Sequence, residues 1–125
     1  MIQQMILDGI YLPQSSGDRY ACWEDLLGEQ VPMIDGTVTF EIRGTIWRAK
    51  NSFDYLEDEV YRPLLKVLRS GNEFPATLLP DDRDEMIVAT VMVESMTPAT
   101  FAFDDGGKPV WRGLAFQLRE VAPHD

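Results

Sequence analysis

Residues 52–71 read SFDYLEDEVYRPLLKVLRSG, and only in this stretch do apolar residues recur at helical rather than strand spacing. Its apolar side chains share one broad face and are Val60, Tyr61, Leu64, Leu65, Val67 and Leu68. Acidic residues crowd the start, Lys66 and Arg69 lie near the end, and Gly71 follows as a left-handed stop. The pattern predicts one α-helix over about residues 57–70 that packs on a sheet.

Pro63 is the discordant residue of this helix, because proline removes a backbone hydrogen bond and clashes with the carbonyl four residues earlier. We expect either a kink at Pro63 or a loose first turn, with the regular helix starting nearer Tyr61. A helix of about 15 residues is marginal alone in water, so its stability has to come from packing.

The chain before the helix has the patterns of β-strands. Asp8-Gly9 separates two short apolar runs and predicts an opening hairpin. Residues 20–23 suggest a short strand, whereas residues 24–30 fit either one helical turn or a loop.

The clearest strand begins after Gly36, where apolar and polar residues alternate. Val38, Phe40, Ile42 and Ile46 share one face, which we expect to be buried. Gly44 interrupts the alternation and predicts a bend or bulge around residues 44–47.

After the helix, residues 74–79 predict a brief strand that Pro75 should confine to a sheet edge. A solvated turn over residues 81–85 and a long strand over residues 86–96 follow. Asp104-Asp-Gly-Gly107 predicts a second tight hairpin.

The last strand points Leu114, Phe116 and Leu118 inward, and residues 121–125 form a polar tail that we expect to fray. The order strands, one helix, strands predicts a mainly β (α+β) fold: an antiparallel β-sandwich or small barrel with one flanking helix.

Composition narrows the class of protein. We expect 125 residues to form a single domain, and no apolar run approaches the roughly 20 residues that span a membrane. The first residues lack the basic and apolar regions of a signal peptide. A net charge of -10 disfavours sequence-specific nucleic-acid binding, which relies on Lys and Arg.

The sequence lacks the residues that most types of catalytic site require. His124 is the only histidine and lies in the tail, which argues against a Ser/His/Asp or Cys/His site. Cys22 is the only cysteine, and without a partner histidine it predicts a small buried residue rather than a nucleophile. No acid pair has a distinctive spacing, and no glycine loop precedes a helix as a phosphate site would require. We predict no catalytic residue, no cofactor-binding residue and no cofactor.

The acidic run of residues 81–85 is the best metal candidate, because hard cations take several carboxylate oxygens. A metal-dependent hydrolase would use Asp81, Asp82 and Asp84. The run lacks the glycine and distant glutamate of a calcium loop, so we favour a solvated turn and predict no metal ligand. Asp104 and Asp105 are explained by turn chemistry.

Three tryptophans leave room for another function. Trp47 and Trp111, together with Phe116, could surround the apolar cavity of a small ligand-binding β-barrel. We favour instead a role for these tryptophans in the core or at an interface.

The order of elements resembles small structural proteins of tailed bacteriophages and prophages, of the tail-tube, distal-tail and tail-completion type. The segments that carry the resemblance are Leu7–Ile10, Gly36–Trp47, Phe53–Leu56, Tyr61–Gly71, Phe74 and Pro109–Arg119. Residues 20–33 have no clear counterpart in that pattern.

The resemblance implies a non-enzymatic virion protein that assembles with copies of itself and with other phage structural proteins, in a ring around the DNA channel or at the tail tip. An acid-rich lumen would let DNA slide. Contacts between rings would use loops such as residues 14–19 and 79–85. The protein would be in the cytoplasm of the bacterial host before assembly and in the virion afterwards.

Overall fold

The computed structural model describes residues 2–125, except the side chains of Glu29 and Phe40. The strands before the helix are β1 (Met5–Leu7), β2 (Ile10–Tyr11), β3 (Ala21–Pro32), β4 (Val38–Ser52) and β5 (Tyr55–Glu57). Helix α1 spans Asp58–Leu68. The strands after it are β6 (Phe74–Leu78), β7 (Ile87–Thr97), β8 (Thr100–Asp105), β9 (Lys108–Arg112) and β10 (Ala115–Glu120).

These strands form two antiparallel sheets that do not close into a barrel. The large sheet has the order β2-β1-β6-β7-β10-β4-β3, and the small sheet has the order β5-β9-β8. Inward-facing residues of both sheets and of α1 share one apolar cluster, including Leu7, Leu56, Leu64, Leu78 and Leu118. The predicted mainly β fold with one flanking helix is therefore confirmed, and the barrel alternative is wrong.

Helix α1 packs against β9, β5 and β2. It buries Tyr61, Leu64 and Leu68, which belong to the predicted apolar face. The helix starts at Asp58, close to the predicted start at about residue 57, so the alternative of a regular helix starting near Tyr61 is wrong. The first turn is held in place, because the Asp58 carboxylate accepts a hydrogen bond from the Trp111 indole at 3.1 Å and pairs with Arg62 at 2.7 Å.

Both predicted tight hairpins are present. Asp8 and Gly9 have φ angles of 50° and 82° between β1 and β2, and Gly106 and Gly107 have φ angles of 61° and 87° between β8 and β9. Positive φ at two successive positions is the geometry that matches the twist of the flanking strands.

The sequence suggested either a helical turn or a loop for residues 24–30. They form instead the middle of β3. Their short pattern is ambiguous by itself, and the pairing of β3 with β4 along its whole length decides the outcome.

Pro75 lies in β6, between β1 and β7, so the predicted edge position is wrong. The Pro75 carbonyl accepts from the Asp8 amide at 2.9 Å, at the point where β1 has just ended. Since the nitrogen and oxygen of one strand residue point to the same side, the missing N–H of Pro75 would face that turn rather than a continuing strand.

The last strand is as predicted, with Leu114, Phe116 and Leu118 buried. Strand β7 bulges opposite Gln117 and Leu118, so that Glu94 is the extra residue. The Glu94 carboxylate accepts from Arg48 and from Gln117, and it thereby joins β7, β10 and β4 on the side away from the core.

Candidate assembly surface

Strands β3 and β4 form a hairpin that outgrows the large sheet. Strand β4 pairs with β10 only over residues 48–52, whereas its pairing with β3 continues to Val38. The register shifts where Leu27 pairs with Gly44 and Gly28 with Ile42, which leaves Arg43 as a bulge residue. This confirms the predicted irregularity near Gly44. We call residues 28–43, beyond the bulge, the hairpin arm.

The length of β4 explains why the arm projects. Fifteen strand residues span about 50 Å at 3.3 Å each. A compact domain of this size is only about 36 Å across, by the usual scaling of the radius of gyration. The distal part of β4 therefore leaves the body of the protein.

The arm exposes apolar side chains. Ile34 at the turn is fully exposed, and Val38 and Ile42 are 61% and 58% exposed. Val38 is paired with Pro32 and Ile42 with Gly28, so these residues share one face of the ribbon. The prediction that Val38 and Ile42 are buried is wrong, because the core ends at the bulge. Of that predicted face Ile46 is buried, and the side chain of Phe40 lies outside the described residues.

The turn of the arm is built locally. The Met33 amide donates to the Thr37 carbonyl at 2.8 Å, and Asp35 accepts from both the amide and the hydroxyl of Thr37. These hydrogen bonds lower the pKa of the Asp35 carboxyl. The turn is therefore shaped by its own hydrogen bonds rather than by packing on the core, and Ile34 lies in solvent.

Residues 121–125, which we call the closing segment, lie along residues 44–47 of β4. We call residues 44–47 the root of the arm. The His124 amide donates to the Thr45 carbonyl and the Thr45 amide donates to the backbone oxygen of Asp125, both at 3.0 Å. The His124 ring stacks on Trp47, with centroids 5.3 Å apart and planes 11° apart. The expectation of a frayed tail is therefore wrong, since β4 beyond β10 offers a free edge on which this segment fits.

Charged groups surround that stack. The His124 Nδ1 lies 2.6 Å from Glu120 Oε1, and Nε2 lies 3.5 Å from Glu24. The hydrogen bond to Glu120, followed by the weaker effect of Glu24, raises the pKa of the His124 imidazole. Arg83 also contacts the Trp47 ring, 5.3 Å from its centroid, and lies 3.6 Å from Glu24.

The small sheet carries a second exposed apolar patch. Tyr55, Phe101 and Phe103 are each about half exposed or more. The rings of Tyr55 and Phe103 are 5.8 Å apart, and Phe101 lies edge-on to Trp111 at 6.1 Å. Both Phe residues lie on β8, an edge strand of the small sheet, so the aromatic patch borders a row of backbone groups that can pair with another chain.

Cys22 does not have the environment of a nucleophile. Its side chain is buried, as predicted, and burial raises the pKa of the thiol to about 12, with a smaller effect of Asp81. A thiol that stays protonated at neutral pH is a poor nucleophile. His124 contacts Trp47, Glu120 and Glu24 instead of Cys22.

The acidic run of residues 81–85 is an exposed turn, as the sequence favoured. Asp82 pairs with Arg83 at 2.9 Å, and this hydrogen bond lowers the pKa of the Asp82 carboxyl. The Asp81 amide donates to the Cys22 carbonyl, which ties the turn to β3. Within the described residues, no group of three or more His, Cys, Asp or Glu could hold a metal ion.

The tryptophans do not surround a common cavity. Trp47 stacks with His124 at the root of the arm, whereas Trp111 lies in the small sheet against Tyr61. Phe116 packs in the core against Phe53. No helix in the described part of the chain is long and apolar enough to cross a membrane.

The loops over residues 14–19 and 79–85 are mostly exposed, so their expected role in contacts between rings stays a prediction. Ser15 of the 14–19 loop is buried, and its hydroxyl donates to Asn51 at 2.6 Å. Exposed apolar side chains are found on the arm and the small sheet, and also on other strands, at Tyr11, Leu26, Val88 and Met92. The signal for the arm was present in the sequence, as a strand too long for so small a protein, but it becomes readable only once β4 is known to continue to Ser52.

Comparison with solved structures finds a similar fold in chains of gene transfer agent particles. The fold is similar to that of a chain in the virion of a native gene transfer agent particle, with a TM-score of 0.56 and 9% identity over 96% of this chain and 91% of that one. A chain in the tail of an empty gene transfer agent particle, refined with C6 symmetry, has a TM-score of 0.56 and 11% identity over the same shares. No protein-family model and no curated protein matches the sequence.

Proposed function

We propose that this protein is a non-enzymatic structural subunit of a phage-like tail, a single domain that assembles with copies of itself into a ring through the hairpin arm. The exposed apolar face of the arm is the observation that carries the proposal. A two-stranded ribbon is marginally stable in water, and an exposed apolar edge tends to pair with another chain. A neighbouring copy that covers Ile34, Val38 and Ile42 removes both problems.

The energy available from this face is substantial. Fully burying a Val or Ile side chain is worth about 1.5–3 kcal/mol. Ile34 is fully exposed, whereas Val38 and Ile42 are already partly covered. The three side chains therefore offer about 3–6 kcal/mol per contact, before the cost of association is subtracted. Repeating the contact around a closed ring multiplies the gain without a new type of interface.

Two unlike patches on one chain support a ring rather than a symmetric pair. The arm and the aromatic patch of Tyr55, Phe101 and Phe103 belong to different sheets. Contact between different patches of successive copies is head-to-tail, and such contacts close into rings when the rotation permits. The sixfold symmetry of the tail particle that contains a chain of similar fold makes six copies the expected number, or about 85 kDa for a chain of 14.2 kDa.

The acidic composition supports a place next to DNA without binding it. A net charge of -10 per copy repels phosphate, so DNA can pass a ring of such subunits. The partners would be further copies and other structural proteins of the particle, assembled in the cytoplasm of the bacterial host and then present in the virion.

Native mass spectrometry across a concentration series tests this proposal. The wild type should form a closed species near 85 kDa, and the double variant Ile34→Thr, Ile42→Thr should stay monomeric at the same concentrations. Val88→Thr combined with Met92→Thr is the matched control, because both residues are exposed on β7 outside the arm. A wild type that is monomeric throughout overturns the proposal. Equal loss of assembly in both double variants overturns the role of the arm.

A further inference from the structure

We propose that the closing segment, residues 121–125, is a pH-sensitive latch that fixes the root of the hairpin arm through His124. The latch closes when His124 is protonated and loosens when it is neutral. Its consequence for assembly rests on the proposed function, whereas the latch itself is a property of the isolated chain.

The backbone geometry shows what the latch holds. The closing segment bonds to Thr45 from both directions, one residue beyond Gly44, which lies at the bulge where the arm leaves the sheet. Pro123 packs directly on Gly44, where a Cβ added to the glycine would lie only 2.6 Å from the Pro123 Cβ. The segment is not itself a strand, but it lies beside β4, and the two backbone bonds hold the point from which the arm projects.

The side-chain geometry shows why protonation matters. Imidazolium has two N–H donors, and here Nδ1 faces Glu120 and Nε2 faces Glu24, on β10 and β3. Neutral imidazole has one donor, so it can satisfy only one of the two carboxylates. Glu120 also accepts from the Trp47 amide at 3.2 Å, which joins the same carboxylate to the arm root.

The remaining charged neighbours act in the same place. Arg83, from the turn over residues 81–85, shares Glu24 with His124 and contacts the Trp47 ring. Arg83 stays charged when His124 loses its proton, so Trp47 keeps one cationic neighbour. When His124 is neutral, the contacts that hold the closing segment therefore weaken but are not all lost. Glu24 then turns toward Arg83, its remaining cationic partner.

The sign of the pH dependence follows from the raised pKa of His124. A histidine whose pKa is higher in the folded than in the unfolded protein adds stability that is complete below its ordinary value of about 6.5. That stability is lost as the pH rises through the folded-state pKa. A fixed arm loses less conformational freedom when it docks, so a closed latch favours assembly by preorganisation.

Hydrogen exchange on the monomer tests the latch without any assembly. At concentrations below self-association, the protection factor of the Thr45 amide, corrected for intrinsic exchange, should be several-fold lower at about pH 8.5 than at about pH 6, which is below the ordinary histidine pKa. NMR titration of His124 should give the same midpoint. The variant Glu120→Gln keeps the oxygen acceptor but removes the charge, so its protection should be lower at about pH 6 and nearly independent of pH. Glu73→Gln removes an exposed charge elsewhere and is the control for net charge.

The outcomes separate the two proposals. Wild-type Thr45 protection that does not change with pH, or a pH dependence that Glu120→Gln leaves intact, overturns the latch whether or not rings form. A latch that titrates in a protein that never oligomerises leaves the latch standing and overturns the ring. In an assembling protein, the concentration needed for ring formation should rise several-fold across the same pH range in wild type and stay constant in Glu120→Gln.

Discussion

Replacing Gly44 by alanine should release the closing segment from the root of the arm. Gly44 has a φ of +147°, which L-residues rarely adopt, and an added Cβ would lie 2.6 Å from Pro123 Cβ and 2.9 Å from the Asp125 backbone oxygen. Backbone strain of this kind costs about 1–3 kcal/mol. The clash with Pro123 costs about a further 1–3 kcal/mol. This cost cannot exceed the free energy with which the closing segment docks, because release of the segment removes the clash.

Gly71→Ala is the matched control for this variant. Gly71 also has a positive φ, +74°, but a Cβ there would have no neighbour within 4 Å, so its replacement incurs strain alone. Urea unfolding followed by circular dichroism should show Gly44→Ala as less stable than Gly71→Ala by about 1–3 kcal/mol. Adding Pro123→Gly removes the nearest contact atoms and should restore at least about 0.5 kcal/mol, as a coupling between touching residues.

Equal stability of the two alanine variants would refute the close packing of Pro123 on Gly44. An independent readout is the NMR signal of the His124 ring, which in wild type is shifted by the stacked Trp47 ring. In Gly44→Ala it should move toward the position of an exposed histidine. A variant that is destabilised but keeps the stacked His124 signal would mean that the strain acts elsewhere in β4.

Two further predictions concern the core. Leu64→Ala should lower the free energy of unfolding by about 2–5 kcal/mol, because the Leu64 side chain of α1 is fully buried. The control Lys66→Ala on the same helix should change it by less than about 0.5 kcal/mol. Similar values for both variants would mean that α1 does not bury this face. Cys22 should react with a thiol reagent at neutral pH only as fast as the protein unfolds, because its thiol is buried and its pKa is about 12; rapid labelling in native buffer, compared with a urea-unfolded sample, would contradict its burial.

The features that the sequence predicted correctly are those with a local cause. The helix follows from the spacing of Tyr61, Leu64 and Leu68 and from charges that match its dipole. The two tight hairpins follow from Asp8-Gly9 and Gly106-Gly107, where the residue types permit positive φ. Each of these signals is complete within a few residues, although the helix still depends on packing against the sheets for its stability.

The features that were predicted wrongly from the sequence depend on which residues lie across from them in the folded protein. Residues 24–30 are a strand because β4 pairs with them, and Val38 and Ile42 are exposed because no second sheet covers the arm. Pro75 is tolerated between two strands because β1 ends beside it. His124, which the sequence placed in a tail expected to fray, is held by Trp47, Glu120 and Thr45 from two other strands.

Residue types and their short-range spacing were enough to predict the type of most elements, the apolar face of the helix and the acidic charge. Which apolar residues stay in solvent, and which polar residues meet at the arm root, emerged only from the folded chain, because both depend on contacts between residues far apart in the sequence. The candidate assembly surface and the His124 latch are therefore properties of the fold, although every residue in them can be read in the sequence.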